Sequence, residues 1–204
     1  MSRDPTTLRP LEPAFFDARV LVVARRLIGK VLVHRTAEGV AGGRIVETEA
    51  YRGPSDLAAH SARGRRTKRT EAMFGPPGHA YMFLLYGSSW AFNVVAGPPG
   101  APHAVLVRAL EPTLGIDLMA ARRNRPTTSK ELTNGPGKLC QALALTGAAY
   151  GASLASPDLF VAEGGAGAIG RSPRINIDYA GAWVSRPWRF YERDNRFVSV
   201  PPRS

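Results

Sequence analysis

Cysteine is nearly absent from this chain. Cys140 is alone among 204 residues, which excludes an intramolecular disulfide and any zinc site built on clustered cysteines, and which fits a reducing compartment. Long apolar runs are missing as well. Stretches such as Val20 to Ala24 are stopped at once by charge, here Arg25 and Arg26, far short of the ~18 residues that crossing a bilayer requires. No membrane partner is expected. The first residues lack a basic stub leading into an apolar segment and a small-residue cleavage site, so the expected location is the cytoplasm. Acidic residues are also scarce: 16 against 27 basic ones leave a net charge of +11 and a pI near 10.6. Such an excess steers a protein towards polyanions, of which nucleic acid is the commonest inside a cell. A ribosome-associated protein or an Arg-rich proteome would show the same balance, so charge alone names no partner.

Several catalytic signatures are missing too. The four histidines, His34, His60, His79 and His103, are scattered and fit neither HExxH nor a His-rich site, so no metal is expected. No GxSxG elbow exists to favour a serine triad. Gly165-x-Gly167-x-x-Gly170 matches a dinucleotide fingerprint, but Arg171-Ser172-Pro173-Arg174 and a strand-like run follow where a phosphate-binding helix should open. It reads as a loop. Asn134-Gly135-Pro136-Gly137-Lys138 resembles a P-loop only loosely, with Leu132 at the first glycine position and Leu139 in place of the magnesium-holding hydroxyl.

What is present is a folded chain, 44% hydrophobic, of a length suited to one domain over 1–204 with 1–13 as an N-terminal tail. Apolar spacing predicts a helix over 17–28 stopped by Gly29, a hairpin of 30–35 and 43–51 around a turn at 37–42, and a second hairpin over 79–95. The second hairpin has its tip at Tyr86-Gly87-Ser88-Ser89. Further strands are predicted over 103–110, 159–162, 174–179 and 188–191, and helices over 116–123 and from near Asn134, with Pro136 in the first turn, to about Thr146. Strands dominate without regular alternation with helices. The expected fold is therefore α+β, a curved, largely antiparallel sheet with surrounding helices.

Three features carry chemistry. On a strand over 45–51, period-two alternation places Glu47, Glu49 and Tyr51 on one face. Charged residues are seldom buried, so a solvated outer face is the favoured explanation; the alternative is a cleft carboxylate that orients water beside an aromatic wall. Downstream lies a cationic segment with Arg63, Arg65, Arg66, Lys68 and Arg69 and no acidic residue from there until Glu71. Tyr86, at the hairpin tip, either folds back on Phe83 or Trp90 or serves as a wedge between base steps of a duplex.

These residues sit within a longer pattern. Ile45-Val46-Glu47-Thr48-Glu49-Ala50-Tyr51, Ala58-Ala59-His60-Ser61, Met73-Phe74-x-x-Pro77-Gly78, Tyr86-Gly87, Asn93, Leu106-Val107-Arg108-Ala109-Leu110-Glu111-Pro112, Asn134-Gly135-Pro136-x-Lys138-Leu139-Cys140-Gln141-Ala142 and Pro187-x-Arg189-Phe190-Tyr191 follow in order. In this order the chain resembles the alkyladenine (3-methyladenine) DNA glycosylase family over most of its length. The resemblance implies a monofunctional base-excision enzyme that flips alkylated or deaminated purines out of double-stranded DNA and hydrolyses the N-glycosidic bond. The implied lesions are 3-methyladenine, 7-methylguanine, hypoxanthine and ethenoadenine, and no cofactor is needed. By position, Glu49 is implied as the general base, with Arg108 and the main-chain carbonyl near Ile175 holding the water. Tyr51, His60 and Phe83 are implied to line the base pocket, Asn93 to reject the guanine amine, Tyr86 to fill the vacated stack, and Glu47 to be structural. Arg63, Arg65, Arg66, Lys68 and Arg69 are expected on the DNA backbone. A monomer is expected, nucleoid-associated if bacterial. One departure stands out: the familiar vertebrate relative has tyrosine where this chain has Phe83, so stacking survives and a hydroxyl contact is lost.

Two other readings stay open at this level. A basic nucleic-acid-binding module would use Tyr86, Phe83 and the cationic segment and leave Glu49 incidental. A carbohydrate hydrolase would use Glu47 and Glu49 as acid and base, since same-face neighbours on a strand lie ~6.5–7 Å apart.

Overall fold

A computed structural model describes residues 7–85 and 87–201 of the chain. Its first regular element is α1, Val20–Leu27, whose Val20, Val23, Ala24 and Leu27 recur at helical spacing and are all buried. Gly29 then turns the chain at φ +87°, where an added Cβ would stand 2.5 Å from the Ala166 nitrogen. Only glycine fits so close a backbone approach in that conformation. The strands follow in the order β1 Val31–Thr36, β2 Gly39–Tyr51, β3 Ala80–Leu85, β4 Ser89–Ala96 and β5 His103–Leu114. After helices α2, Ile116–Arg123, and α3, Pro136–Ala142, come β6 Leu159–Ala162, β7 Ile169–Ser172 and β8 Arg189–Glu192.

All eight strands join one sheet, ordered β3-β4-β5-β2-β1-β6, with β8 paired to both β2 and β7. Every strand pairing is antiparallel. The 13-residue β2 is the axis: β5 runs along one edge, while β1 and then β8 share the other. Such branching curls the sheet into a half-barrel, and the fold is α+β. Its two faces differ in chemistry. Val105, Val107, Val94, Phe92 and Met82 point to the face covered by α1 and α3, where they pack with Val23, Leu27, Leu139 and Cys140 into the main core. Each large side chain buried there contributes roughly 1.5–3 kcal/mol. Stability therefore rests mainly on the helix face, while smaller apolar clusters, one of Met73, Tyr81, Val95 and Ala104 and another of Val31, Val33, Leu114 and Phe160, lie apart from that core.

Several boundaries depart from the sequence expectation, each for a physical reason. β2 begins at Gly39, and the turn shrinks to Ala37 and Glu38. Gly42 and Gly43 are strand residues packed against neighbouring backbone, where a Cβ would lie 2.7 Å from Leu32 O and 2.6 Å from Glu111 O. Their small size, not turn geometry, is what the sheet uses. β5 continues to Leu114 through Pro112, because β4 pairs only its first residues and leaves that edge free of a ladder. α1 starts at Val20 rather than Asp17, and α3 ends at Ala142, with Ala144 in the left-handed region and Thr146 capping a short turn instead. The expected strand over 174–179 does not form: Asn176 has φ +56° and Asp178–Trp183 is 3₁₀. The strand in that region is β7, which takes up the end of the Gly-rich loop. Within the expected tail, Leu8 and Leu11 are buried, and the Leu11 N–H donates to Val161 O.

Candidate active site

β2 presents Glu47, Glu49 and Tyr51 on the face away from α1, while Thr48 points to the helix and donates to Ala24 O. Two register shifts against β5 lie between Ile45 and Thr48. Val46 is the extra residue on β2 and Arg108 the extra one on β5, and such bulges re-aim a side chain. The guanidinium of Arg108 is thereby set between the carboxylates: Nη1 donates to Glu49 Oε2 at 3.3 Å, and Nε lies 3.3 Å from Glu47 Oε1 as an ion pair. Both carboxylates are 0% exposed, so the solvated-face reading is overturned. Burial works against the Arg108 charge, but Glu49 and Glu47 outweigh it and leave the guanidinium pKa raised.

The carboxylates differ in how they are satisfied. Glu47 accepts from Arg189 Nε at 2.7 Å, Ser199 N–H at 2.6 Å and Ser199 Oγ at 3.0 Å, so both of its oxygens are committed. A paired acid and base has no free partner there. Glu49 accepts from Tyr51 Oη at 2.8 Å and from the Ile175 N–H at 2.8 Å. Ile175 reaches Glu49 through its N–H, a contact distinct from the water-holding carbonyl that the resemblance implies near this position. Burial, then the Glu49 charge, push the Tyr51 phenol well above its ordinary range, so it stays a donor.

Tyr51, Arg108 and Ile175 all line a cavity of about 420 Å³, and Glu49 lies directly behind them. That volume falls within the ~300–1,000 Å³ of small-molecule sites. The site-face residues of the neighbouring strands complete it: Leu106 on β5, Asn93 on β4, and Tyr81 and Phe83 on β3. Tyr51 on β2 and Phe83 on β3 are separated in the sheet by β5 and β4, and both line the cavity. Asn93 Nδ2 donates to Tyr81 O at 3.0 Å, which fixes its amide in the wall.

His60 closes the side of the cavity, its ring edge-on to Phe83 at 4.5 Å between centroids. Its pKa is lowered to about 4, chiefly by burial and then by the charges of Arg69 and Arg65, so the imidazole is neutral. Tyr81, whose hydroxyl lies 2.8 Å from His60 Nδ1, is pushed up to about 12, mainly by burial. Tyr86 lies outside the described residues. Its neighbour Leu85 lines the cavity, and Tyr179, 72% exposed, stands at the mouth.

The cationic segment divides. Arg63, Arg65 and Lys68 are exposed and make no salt bridge among the described residues, whereas Arg66 pairs with Glu71 and lies over Phe74. Arg69 turns towards the cavity and lines it. Sequence reasoning missed a further device, the buried pair Asp56–Arg174. Arg174 donates to both Asp56 oxygens, at 2.6 and 2.8 Å, and to Ala50 O, and its guanidinium lies 4.7 Å from the Tyr51 ring centroid. This pair clamps the loop before His60 to the loop bearing Ile175. An acid just ahead of the cationic run was the signal available for Asp56; nothing local marked Arg174.

Among the described residues, no group of three or more His, Cys, Asp or Glu could hold a metal, and no helix is long and apolar enough to cross a membrane. The profile of the methylpurine-DNA glycosylase family matches residues 14–196. Relatives provisionally named 3-methyladenine DNA glycosylase occur in Bacillus mycoides strain KBAB4, 49% identical, and in Bacillus cytotoxicus, 47% identical. Each alignment covers 92% of this chain and 98% of the relative. A third, from Bacillus cereus strain AH820, is 48% identical over 92% of this chain and 97% of its own length.

Proposed function

The chain belongs to the methylpurine-DNA glycosylase family, hydrolases of N-glycosyl bonds in DNA, and from that premise we propose that Glu49 is the general base that delivers water to a flipped, damaged purine nucleotide. The observation that carries this reading is a fully buried carboxylate behind a cavity of about 420 Å³, bonded to three residues that line it. Departure of a purine leaves an oxocarbenium-like sugar. An anion fixed in a water-excluded site stabilises that charge and takes a proton from the attacking water, so one carboxylate serves both ends of the step. The balance needs only water: the C1′–N bond breaks and a C1′–OH bond forms, Glu49 takes the proton that the water gives up, a cationic alkylated base departs neutral while a neutral base departs with one proton gained, and an abasic site remains.

In this reading Arg108 and the Ile175 N–H hold the Glu49 carboxylate in orientation, and Arg108 helps to place the water. Tyr51 and Phe83 sandwich the base, His60 closes its edge, and Asn93 rejects the exocyclic amine of guanine. Tyr86 fills the gap left in the stack, which offsets an unstacking cost of a few kcal/mol. Arg63, Arg65, Arg66 and Lys68 hold the phosphates of a duplex. The lesions are 3-methyladenine, 7-methylguanine, hypoxanthine and ethenoadenine, and the enzyme works as a monomer in the cytoplasm, at the nucleoid in a bacterium.

The test is single-turnover release of each lesion from duplex DNA, with abasic sites scored by alkali cleavage, for the wild type and Glu49→Gln. Release that depends on Glu49, with duplex binding retained in the variant, supports the role. Parallel loss of release and binding would sink it.

A further inference from the structure

Arg69 does not behave like its neighbours. Its guanidinium carbon lies 5.3 Å from the Phe83 ring centroid, and Nη2 lies 3.3 Å from His60 Nε2. An arginine only donates, so Nε2 must accept, and the single proton of the neutral imidazole sits on Nδ1, directed at Tyr81 Oη 2.8 Å away. His60 then has no N–H left for a bound base. Arg69 retains several, on a cation that lines the same cavity.

We propose that Arg69 is a specificity-determining residue of the base pocket: its guanidinium donates to a ring acceptor of a neutral purine and disfavours a purine that carries a formal positive charge. The inference rests on the glycosylase reading and sharpens it. Hypoxanthine offers N7 and a carbonyl oxygen as acceptors, and its N7-methylated form offers a cation and no N7 acceptor. The two differ in little else, and neither has the amine that Asn93 faces. Because Arg69 is solvent-exposed, screening holds the expected effect to about tenfold rather than the far larger ratio of a buried charge.

Single-turnover release of hypoxanthine and of 7-methylhypoxanthine from otherwise identical duplexes tests this, with the enzyme-free rate subtracted, for wild type, Arg69→Gln and Arg69→Lys. Arg69→Gln should slow hypoxanthine release about tenfold and hold or raise release of the cationic base, which shifts their ratio by at least about tenfold. Arg69→Lys keeps the charge and should shift that ratio less. An equal fall for both bases, with the slope of log K against log salt flattened by roughly 0.9, would make Arg69 a phosphate contact and overturn the inference. Wild type that binds the duplexes but releases neither base would overturn the glycosylase reading itself, and Arg69's role with it.

Discussion

Glu47 and Glu49 stand two residues apart on one face of β2, both fully buried and both within 3.3 Å of Arg108, yet their surroundings belong to two different regions. Around Glu47 the site face is closed. Arg189 is bonded to it from β8 and also donates to Val200 O, and Ser199 adds its N–H and hydroxyl, so the C-terminal segment is tied down across the carboxylate. Around Glu49 the face is open: its donors are a phenol, one main-chain N–H and one long guanidinium contact, and all three border a cavity. Burial therefore does not separate a structural carboxylate from a chemical one. The separation lies in what saturates the oxygens and whether those partners face an empty volume.

Exchanging the two carboxylates for amides breaks the comparison most sharply. Glu49→Gln should lower base release by about 10³-fold or more, the loss of both a proton acceptor and a fixed anion, while duplex binding changes little. Single-turnover kinetics beside equilibrium binding reads this directly. Glu47→Gln should do the reverse. It leaves Arg189 buried with a weakened partner and should cost about 3 kcal/mol of stability in urea unfolding, with release per folded molecule falling less than about tenfold. Equal kinetic losses for the two variants would erase the distinction.

The open region also titrates. The folded His60 has a pKa of about 4 against 6.5 for the free side chain, so the unfolded chain binds more protons between those values. Stability conferred by the neutral imidazole is complete above pH 6.5, falls as pH drops, and is gone near pH 4. The size is on the order of 3 kcal/mol. His103, also lowered by burial, contributes in the same direction, so the quantity to measure is the difference between wild type and His60→Gln in urea midpoints from pH 7.5 to 3.5. That difference should shrink as pH falls. A constant difference would place the His60 proton elsewhere.

How far the sequence reached follows the same division. Period two on β2 put both carboxylates and Tyr51 on one face, and it held because the extra residue on β2, Val46, precedes Glu47 and none interrupts β2 from Glu47 to Tyr51. The bulge at Arg108 could not be read, since a bulge is a property of a pair of strands and leaves no mark in either alone. The order of motifs placed Tyr51, His60, Phe83 and Asn93 around one cavity. Ile175 was expected within a strand, but its N–H meets Glu49 from a loop, because Asn176 adopts a left-handed conformation and the neighbouring Arg174 is anchored on Asp56. That anchor joins positions 118 residues apart, and no local pattern predicts such a pair. The cationic segment was legible as charge but not as direction, so five basic residues share one expectation while the fold sets them in three surroundings: exposed, paired with Glu71, and lining the cavity.

The smallest expected effect tests that last division. Arg65 is exposed and makes no salt bridge among the described residues, while Arg66 is committed to Glu71 at 3.0 and 2.5 Å and stacked on Phe74. The pairing with Glu71 holds that carboxyl below its usual range and the guanidinium above its own. A phosphate must therefore compete with Glu71 for Arg66 and with nothing but water for Arg65. Each phosphate neutralised on duplex DNA adds roughly 0.9 to the magnitude of the slope of log K against log salt. Arg65→Gln should flatten the slope by about that amount, and Arg66→Gln by clearly less. Glu71→Gln should steepen it, because Arg66 is then released to the backbone. Fluorescence anisotropy of an undamaged duplex between low and moderate salt resolves the three slopes. Equal flattening by both arginine variants would show that the Glu71 pair opens on DNA, and the segment would then act as one uniform cationic surface.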